Sequence, residues 1–169
     1  MGSANPNKEW PAESYVPLIE ALAGEHGFSV MLLGGPDRRE VARATWIADQ
    51  ARVPVTLALE DSVRSLMWKI RGSDLIVSPD SGPLHLAHAM DVPVVGLYGH
   101  TNPARVGPYR RYRDLVVDTY TEPGTDADPA DYDPKGGRMQ MISPSDVLAA
   151  VARARERYGV GSQRAKRST

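Results

Sequence analysis

The sequence predicts a three-layer α/β fold built on a parallel, doubly wound sheet. Short apolar stretches typical of buried strands alternate with segments whose apolar residues recur at the spacing of amphipathic helices. A tight strand-to-helix turn, Asp-Ser-Gly-Pro at residues 80–83, lies near the middle of the chain. Ligands of parallel sheets bind at the carboxyl ends of the strands, so we expect the chemistry of this protein at that turn.

Composition limits the class of protein. A chain of 169 residues suits one domain that buries roughly two-thirds of its unfolded surface. Its 20 Lys and Arg residues balance 21 Asp and Glu residues, which argues against nucleic acid as a partner. The absence of cysteine excludes disulfides and thiolate metal ligands and suits a reducing compartment. With neither a signal-peptide pattern nor an apolar run of membrane-spanning length, we expect a cytoplasmic location.

Before the central turn, three helices alternate with three strands. The predicted strands are residues 28–33, 53–59 and 74–77. The predicted apolar helix faces are Tyr15, Leu18, Ile19 and Leu22, then Val41, Thr45 and Ala48, then Val63, Leu66, Met67 and Ile70. Asp37 and Glu40 resemble a capping box that opens the second helix. The preceding Gly34-Gly35-Pro36 lacks the spacing of a dinucleotide fingerprint, so we interpret it as a close turn and not as an NAD site.

After the turn, a helix at residues 84–90 leads to strands at 92–98 and 115–117. We expect a loop at 99–109 and a polar surface loop at 119–137. Residues 143–146 cap a final helix whose apolar face is Val147, Val151, Ala154 and Tyr158. The domain is predicted to end at residue 158. The basic tail, 159–169, is predicted to be disordered, and solvation of its charges is favoured over contact with anionic lipid.

The central turn has the chemistry of a phosphate site. Gly82 allows a sharp turn and Pro83 suits a first helical turn, where unpaired backbone N–H groups attract anions. Asp80 is better suited to a sugar hydroxyl, because a carboxylate repels phosphate, whereas His85 can donate a hydrogen bond to a phosphate oxygen. The alternative is a turn with a purely structural role. That alternative explains less well why four of the six residues 80–85 are specialised types.

A metal site is not favoured. His85 and His88 lie three residues apart on one helical face, but no third ligand is spaced to complete a site. Asp126 and Asp128 have the spacing of a metal-binding Asp-x-Asp pair in a loop expected to be exposed, which we interpret as coincidence. We therefore expect no metal cofactor.

Four segments carry a resemblance to a known family. They are Lys8-Glu9-Trp10-Pro11, Leu32-Leu33-Gly34-Gly35-Pro36, Asp80-Ser81-Gly82-Pro83-Leu84-His85-Leu86-Ala87 and Tyr98-Gly99-His100-Thr101-Asn102-Pro103. In this order they resemble the C-terminal half of family 9 glycosyltransferases, the ADP-heptose:lipopolysaccharide heptosyltransferases. The resemblance covers nearly all of residues 8–158. It implies one half of a GT-B fold, in which two Rossmann-like domains face each other across a cleft and the C-terminal one holds the nucleotide sugar.

The resemblance also implies roles for single residues. Lys8 would reach a phosphate, and the backbone of Ser81, Gly82 and Pro83 would bind the pyrophosphate. Asp80 would contact sugar hydroxyls, with His85 beside the phosphates.

The nucleoside end of the proposed site is less well marked. Loop 59–62, which contains Asp61, lies where relatives contact adenine. Relatives often place a carboxylate for the ribose just after the Gly-x-Pro turn. Residues 37–40 leave its identity open, and Asp37 is our choice.

Two functions follow from the resemblance. In the first, the chain is the donor half of a transferase that moves heptose from ADP-heptose to a lipopolysaccharide core or related glycan. In the second, it is a stand-alone nucleotide or nucleotide-sugar binding module without turnover, or a protein whose missing half comes from another chain. The family's catalytic base lies on an N-terminal acceptor domain that this sequence lacks, so we expect no catalytic residue here. We expect exposed apolar surface around 99–109 and along 147–158, through which the domain could self-associate. A position at the inner face of the membrane suits a glycolipid acceptor.

Overall fold

A computed structural model describes residues 5–59 and 62–161. The strands are β1 (Val30–Leu33), β2 (Val55–Ala58), β3 (Ile76–Pro79), β4 (Val94–Tyr98) and β5 (Val117–Asp118). The helices are α1 (Ala12–Gly24), α2 (Arg38–Gln50), α3 (Val63–Arg71), α4 (Gly82–Ala89), α5 (Pro103–Val106) and α6 (Pro144–Tyr158). Strands and helices alternate as predicted up to β4. The short α5 lies inside the segment that was predicted to be a loop.

Within the described residues every strand pairing is parallel, as predicted, but the strands divide into two sheets. One sheet pairs β1 with β2, with Val30 opposite Val55, and the other has the order β3-β4-β5, with Ile76 opposite Val94. Because β3 and β4 are parallel and in register, both end at the same edge of their sheet. The residues that follow them, starting at Asp80 and Gly99, therefore lie near each other.

The final helix is part of the core. Val147, Ala150, Val151 and Ala154 are fully buried, and α6 packs against α1 and the turn before β5. The prediction of exposed apolar surface along 147–158 is therefore wrong, because the apolar side chains of this helix face the sheet and its neighbours. Around 99–109, Tyr109 is the exposed large apolar residue.

Two helix faces also differ from prediction. In α2 the buried side chains are Ala44 and Ile47, whereas Thr45 is exposed. In α3 only Ile70 is buried, and Val63 and Met67 are exposed. The exposure of Val63 and Met67 follows from the position of α3 in the domain. Helix α3 lies at the margin and packs mainly against α4, so one turn of it is enough to contact its neighbour.

The predicted capping box at α2 is wrong, whereas the predicted cap of α6 at residues 143–146 is confirmed and is a capping box. Asp37 caps α2 by accepting a hydrogen bond from the Arg39 N–H at 2.9 Å, and Glu40 accepts one from the Gly35 N–H at 2.6 Å. At α6, Ser143 and Asp146 bond each other's backbone N–H groups, as a capping box requires.

The polar segment 119–137 runs over the outside of the domain and is held by buried side chains of the loop after β4. The Asn102 amide donates to the carbonyl oxygens of Asp128 and Asp131 at 2.7 and 3.1 Å, and His100 bonds the Lys135 carbonyl oxygen at 2.9 Å. Most of its side chains are exposed, but Tyr120 is buried. The segment therefore has a defined path.

The predicted tail begins later than residue 159. Gly159 ends α6 in the left-handed region, with φ 66°, and Val160 is buried. The rest of the tail, residues 162–169, lies outside the described residues. Within the described ranges, none of the helices combines the length and the apolarity that a membrane span requires.

Candidate functional site

The centre of the site is the Asp80 carboxylate, which follows β3 directly and is only 6% exposed. Three side chains donate hydrogen bonds to it. Lys8 Nζ lies 2.7 Å and Thr101 Oγ1 2.9 Å from Asp80 Oδ2, and His85 Nε2 lies 3.0 Å from Asp80 Oδ1. The structure thus brings together three residues that the sequence predicted for the site, and adds a fourth.

Each of these side chains is placed by a different element. His85 lies in the first turns of α4, and Thr101 follows the buried strand β4. Lys8 comes from a 3₁₀ turn, Pro6–Lys8, which is followed by the buried Trp10. The Trp10 indole donates to the Ile142 carbonyl oxygen at 2.9 Å, so the segment that carries Lys8 is anchored on the core.

Opposing effects set the charge of Asp80. Burial raises its pKa, but the hydrogen bonds from His85, Lys8 and Thr101 and the charge of Lys8 outweigh burial and lower the pKa below its usual range. Asp80 is therefore an ionised acceptor at neutral pH and a weak base. A carboxylate in this state can hold a lysine or accept hydrogen bonds from hydroxyl groups.

This charge predicts a pH dependence of folding that Asp80→Asn should remove. A carboxylate whose pKa is lowered on folding stabilises the protein above its unfolded pKa, about 3.9, and loses that contribution as the pH falls towards its folded pKa. We expect the wild type to be the more stable protein at pH 5, and the difference to shrink below about pH 4. Urea unfolding of both proteins across this range is the measurement. A difference that stays constant down to the lowest pH would contradict the assignment.

A cleft of about 900 Å³ opens beside this cluster. Its lining includes Lys8, Asp80 and His85, the start of α4, and residues of the β1–α2 connection and of α3. The start of α4 follows β3, and the β1–α2 connection follows β1. The cleft therefore lies at the carboxyl ends of β1 and β3, where this fold class holds its ligands. Its volume suits a ligand of nucleotide size.

The start of α4 lines the cleft at Ser81, Gly82 and Pro83. Ser81 is the N-cap residue, and its hydroxyl lies 3.0 Å from that of Ser78, so the side chain does not cap the helix. The first N–H groups of a helix have no intrahelical partner and attract anions. Ser81 and Gly82 can supply such donors. Pro83 has no N–H, so it contributes shape alone to this cradle.

The β1–α2 connection contributes two carboxylates to the lining, Asp37 and Glu40. Asp37 is exposed and caps α2, whereas Glu40 is half-buried with one oxygen on the Gly35 N–H. Both remain candidates for a ribose contact. Asp61, the residue predicted near the adenine, lies outside the described residues.

Two residues that shape the site were missed from the sequence. Thr101 belongs to one of the segments that carry the family resemblance, and its place after a buried strand was the available signal. Arg43 of α2 donates to the Trp10 carbonyl oxygen and lies 3.2 Å from a Glu9 carboxylate oxygen, which fixes the residues after Lys8. Nothing in the spacing of α2 indicated this contact.

His88 and the Asp126–Asp128 pair do not join the site. The ring of His88 meets Tyr112 edge to face, with centroids 6.4 Å apart. Over residues 5–59 and 62–161, no three histidine, aspartate or glutamate side chains are grouped as metal ligands.

Parallel sheets flanked by helices, with a polar cleft at the carboxyl ends of two strands, define an α/β domain of the Rossmann-like class. The particular family follows from its sequence model: the chain belongs to glycosyltransferase family 9 (heptosyltransferase), whose model matches residues 1–127. This confirms the family that the four segments indicated.

Curated relatives agree. The chain is 34% identical over 121 residues to the lipopolysaccharide core heptosyltransferase OpsX of Haemophilus influenzae. The matched region covers 71% of this chain and 34% of that protein. It is 36% identical over 106 residues to lipopolysaccharide heptosyltransferase 1 of Salmonella typhimurium, covering 61% of this chain and 32% of that protein. The chain thus spans about a third of the length of these relatives.

Solved structures confirm the fold class. A family 9 glycosyl transferase from Veillonella parvula is 27% identical and superposes with a TM-score of 0.74, covering 90% of this chain and 43% of that chain. An E. coli heptosyltransferase solved with ADP is 24% identical and superposes with a TM-score of 0.72. The match covers 90% of this chain and 42% of that chain. The predicted relation to one half of a GT-B glycosyltransferase is therefore confirmed at the level of the fold.

Proposed function

We propose that this chain binds ADP-heptose, or a similar nucleotide sugar, as the donor half of a glycosyltransferase that transfers heptose to a lipopolysaccharide core or related glycan. The observation that carries the proposal is the ionised, buried Asp80 held by Lys8 and His85 beside the start of α4. The acceptor class is that named for the curated relatives. A cytoplasmic location suits a chain without cysteine.

A diphosphate at the start of α4 would be stabilised by two kinds of group. The backbone N–H groups of Ser81 and Gly82 offer hydrogen bonds at the positive end of the helix dipole. Lys8 Nζ and the half-exposed His85 ring offer charge and donors from the side of the cleft. The same groups would stabilise the charge that gathers on the diphosphate as the bond to the sugar breaks.

Asp80 is assigned to the sugar and not to the phosphates. Its carboxylate is an acceptor for hydroxyl groups. A diphosphate that draws Lys8 towards itself would leave Asp80 Oδ2 available to a sugar hydroxyl. At the other end of the cleft, Asp37 or Glu40 would accept from the ribose hydroxyls. Loop 59–62, with Asp61, would meet the adenine.

Calorimetry with ADP and adenosine tests this assignment. Because the proposed site recognises charge on the phosphates, we expect the affinity for ADP to exceed the affinity for adenosine by about tenfold or more. The lysine charge and the hydrogen-bond donors of the histidine and the helix start bind the diphosphate without a metal cation, so EDTA and magnesium should leave the ADP affinity unchanged. Equal affinities for the two ligands, or binding restored only by magnesium, would contradict the proposed site.

We expect these 169 residues alone to bind donor without transferring sugar. Transfer requires a base that takes the proton of the acceptor hydroxyl, and the lowered pKa of Asp80 makes it a weak base already committed to other contacts. The measurement is transfer from ADP-heptose to heptose-deficient lipopolysaccharide, with and without a separately supplied N-terminal domain from a family member. Turnover by the 169-residue chain alone, at the rate of an intact enzyme, would show that it carries the base. Donor binding without turnover in both arms would favour a stand-alone binding module.

A further inference from the structure

Helix α3 presents an outward surface that donor binding does not use. Its members are Arg64, Met67, Trp68 and Arg71, which we call the α3 face. Trp68 is 69% exposed, the largest exposed fraction among the large apolar side chains of the described residues, and Met67 is 39% exposed. Burying such side chains normally stabilises a fold, so their exposure in a nine-residue helix points to a partner.

The spacing of these residues places them together. Positions 64, 67, 68 and 71 follow the i, i+3, i+4, i+7 pattern, which defines one side of a helix. On a neighbouring side of the same helix, Ile70 is fully buried, and the helix packs against α4. The α3 face therefore consists of two large apolar side chains next to two guanidinium groups, directed away from the domain.

The charge of the helix has one sign. Its nine residues include Arg64, Lys69 and Arg71 and no acidic residue. Among residues 5–59 and 62–161, neither arginine takes part in an ion pair. The positive charge is confined to the helix itself, since Glu60 and Asp61 precede it and Asp74 follows it in the sequence.

We propose that the α3 face docks the protein on an anionic lipid bilayer. Tryptophan favours the boundary between headgroups and acyl chains, and arginine pairs with lipid phosphates, so the four side chains match the two layers of such a surface. A protein partner fits less well, because four side chains on one short helix fall short of the roughly 800 Å² per partner that a stable interface buries.

Docking through α3 would bring the donor cleft to the membrane. Val63 and Leu66 of the same helix line that cleft, so a lipid surface against the α3 face lies next to the cleft mouth. The value of this arrangement for a lipid-linked acceptor rests on the proposed function. The lipid contact itself does not, because it depends on residues that are not assigned to the nucleotide.

Vesicle sedimentation tests the proposal on the 169-residue chain without nucleotide. We expect binding to vesicles of phosphatidylcholine mixed with phosphatidylglycerol, little binding to phosphatidylcholine alone, and weaker binding as salt is raised. Arg64→Gln and Arg71→Gln should each lower the partition coefficient about fivefold, and Trp68→Ala should lower it several-fold as well. All three side chains are exposed, so circular dichroism should show unchanged folding.

Trp46 of α2 provides a matched control, because it is 41% exposed and lies outside the α3 face. Trp46→Ala should leave vesicle binding unchanged. In a Trp46→Phe background, the buried Trp10 and the exposed Trp68 are the remaining tryptophans. A blue shift of tryptophan emission on anionic vesicles, with quenching by lipids that carry brominated acyl chains, therefore reports insertion of Trp68.

Three results would overturn the proposal. They are equal binding to both kinds of vesicle, binding that Trp68→Ala and the arginine variants leave unchanged, and a protein dimer in sedimentation velocity that Trp68→Ala abolishes. The donor assignment is tested separately. If lipid binding fails while ADP still binds, only the membrane proposal is lost, and the reverse result removes only the donor site.

Discussion

Lys8→Ala is expected to lower the affinity for ADP about ten- to a hundredfold, while the affinity for adenosine stays nearly unchanged. A charge-assisted hydrogen bond contributes about 1.5–3 kcal/mol, and adenosine has no phosphate to receive one. Lys8 Nζ lies only 2.7 Å from Asp80 Oδ2, so part of that energy is spent in leaving the carboxylate. Calorimetry of both ligands with both proteins gives the comparison.

Lys69→Ala is the matched control for charge, because Lys69 lies on α3 and does not line the cleft. It should leave the ADP affinity within about twofold of the wild type, in the range of ordinary surface substitutions. Thermal melts of both variants separate a local effect from unfolding. If Lys8→Ala weakens ADP and adenosine equally, Lys8 supports the fold of the cleft and does not bind a phosphate.

Trp10→Ala is expected to cost about 3–5 kcal/mol of the free energy of unfolding, as deletion of a large buried aromatic side chain usually does. Trp10 is fully buried, and its ring meets Tyr15 edge to face with centroids 4.8 Å apart. The substitution also leaves the Ile142 carbonyl oxygen without the donor that the indole supplies at 2.9 Å. Urea unfolding measures the loss.

Trp46→Ala serves as the control here too, because Trp46 is 41% exposed and should cost much less. Trp10→Phe separates the indole N–H from the ring, since it keeps most of the apolar volume. It should cost less than Trp10→Ala and leave mainly the unpaired Ile142 carbonyl oxygen. A loss below about 1 kcal/mol for Trp10→Ala would mean that Lys8 is not anchored through this residue.

Local patterns predicted the order of the main elements well. The α1 stripe at Tyr15, Leu18, Ile19 and Leu22 is buried as predicted, because a long apolar face on a helix has one stable place, against the rest of the core. The prediction failed where a helix has few neighbours. Val63 and Met67 have helical spacing like that stripe but remain exposed, because α3 lies at the margin.

The site shows the same division. The turn after β3 was recognisable because glycine and proline at a strand-to-helix junction are typical of a tight turn that opens a helix. Thr101, which donates to the same Asp80 oxygen as Lys8, was not predicted as a site residue, because its contact depends on the parallel pairing of β3 and β4. Arg43 was missed because its role is to hold the Trp10 carbonyl oxygen, which no pattern along α2 encodes.

By itself the sequence determined the alternation of strands and helices, the place of the central turn, and the family to which the chain belongs. These features depend on the order of residues along the chain and on short-range sterics. Only the tertiary structure decided that Lys8 and Thr101 share the Asp80 carboxylate across 72 and 21 residues of chain, and that α6 faces inwards while Trp68 faces out. Those outcomes depend on which elements become neighbours, because a side chain's charge state and burial are set by the atoms that surround it in the folded protein.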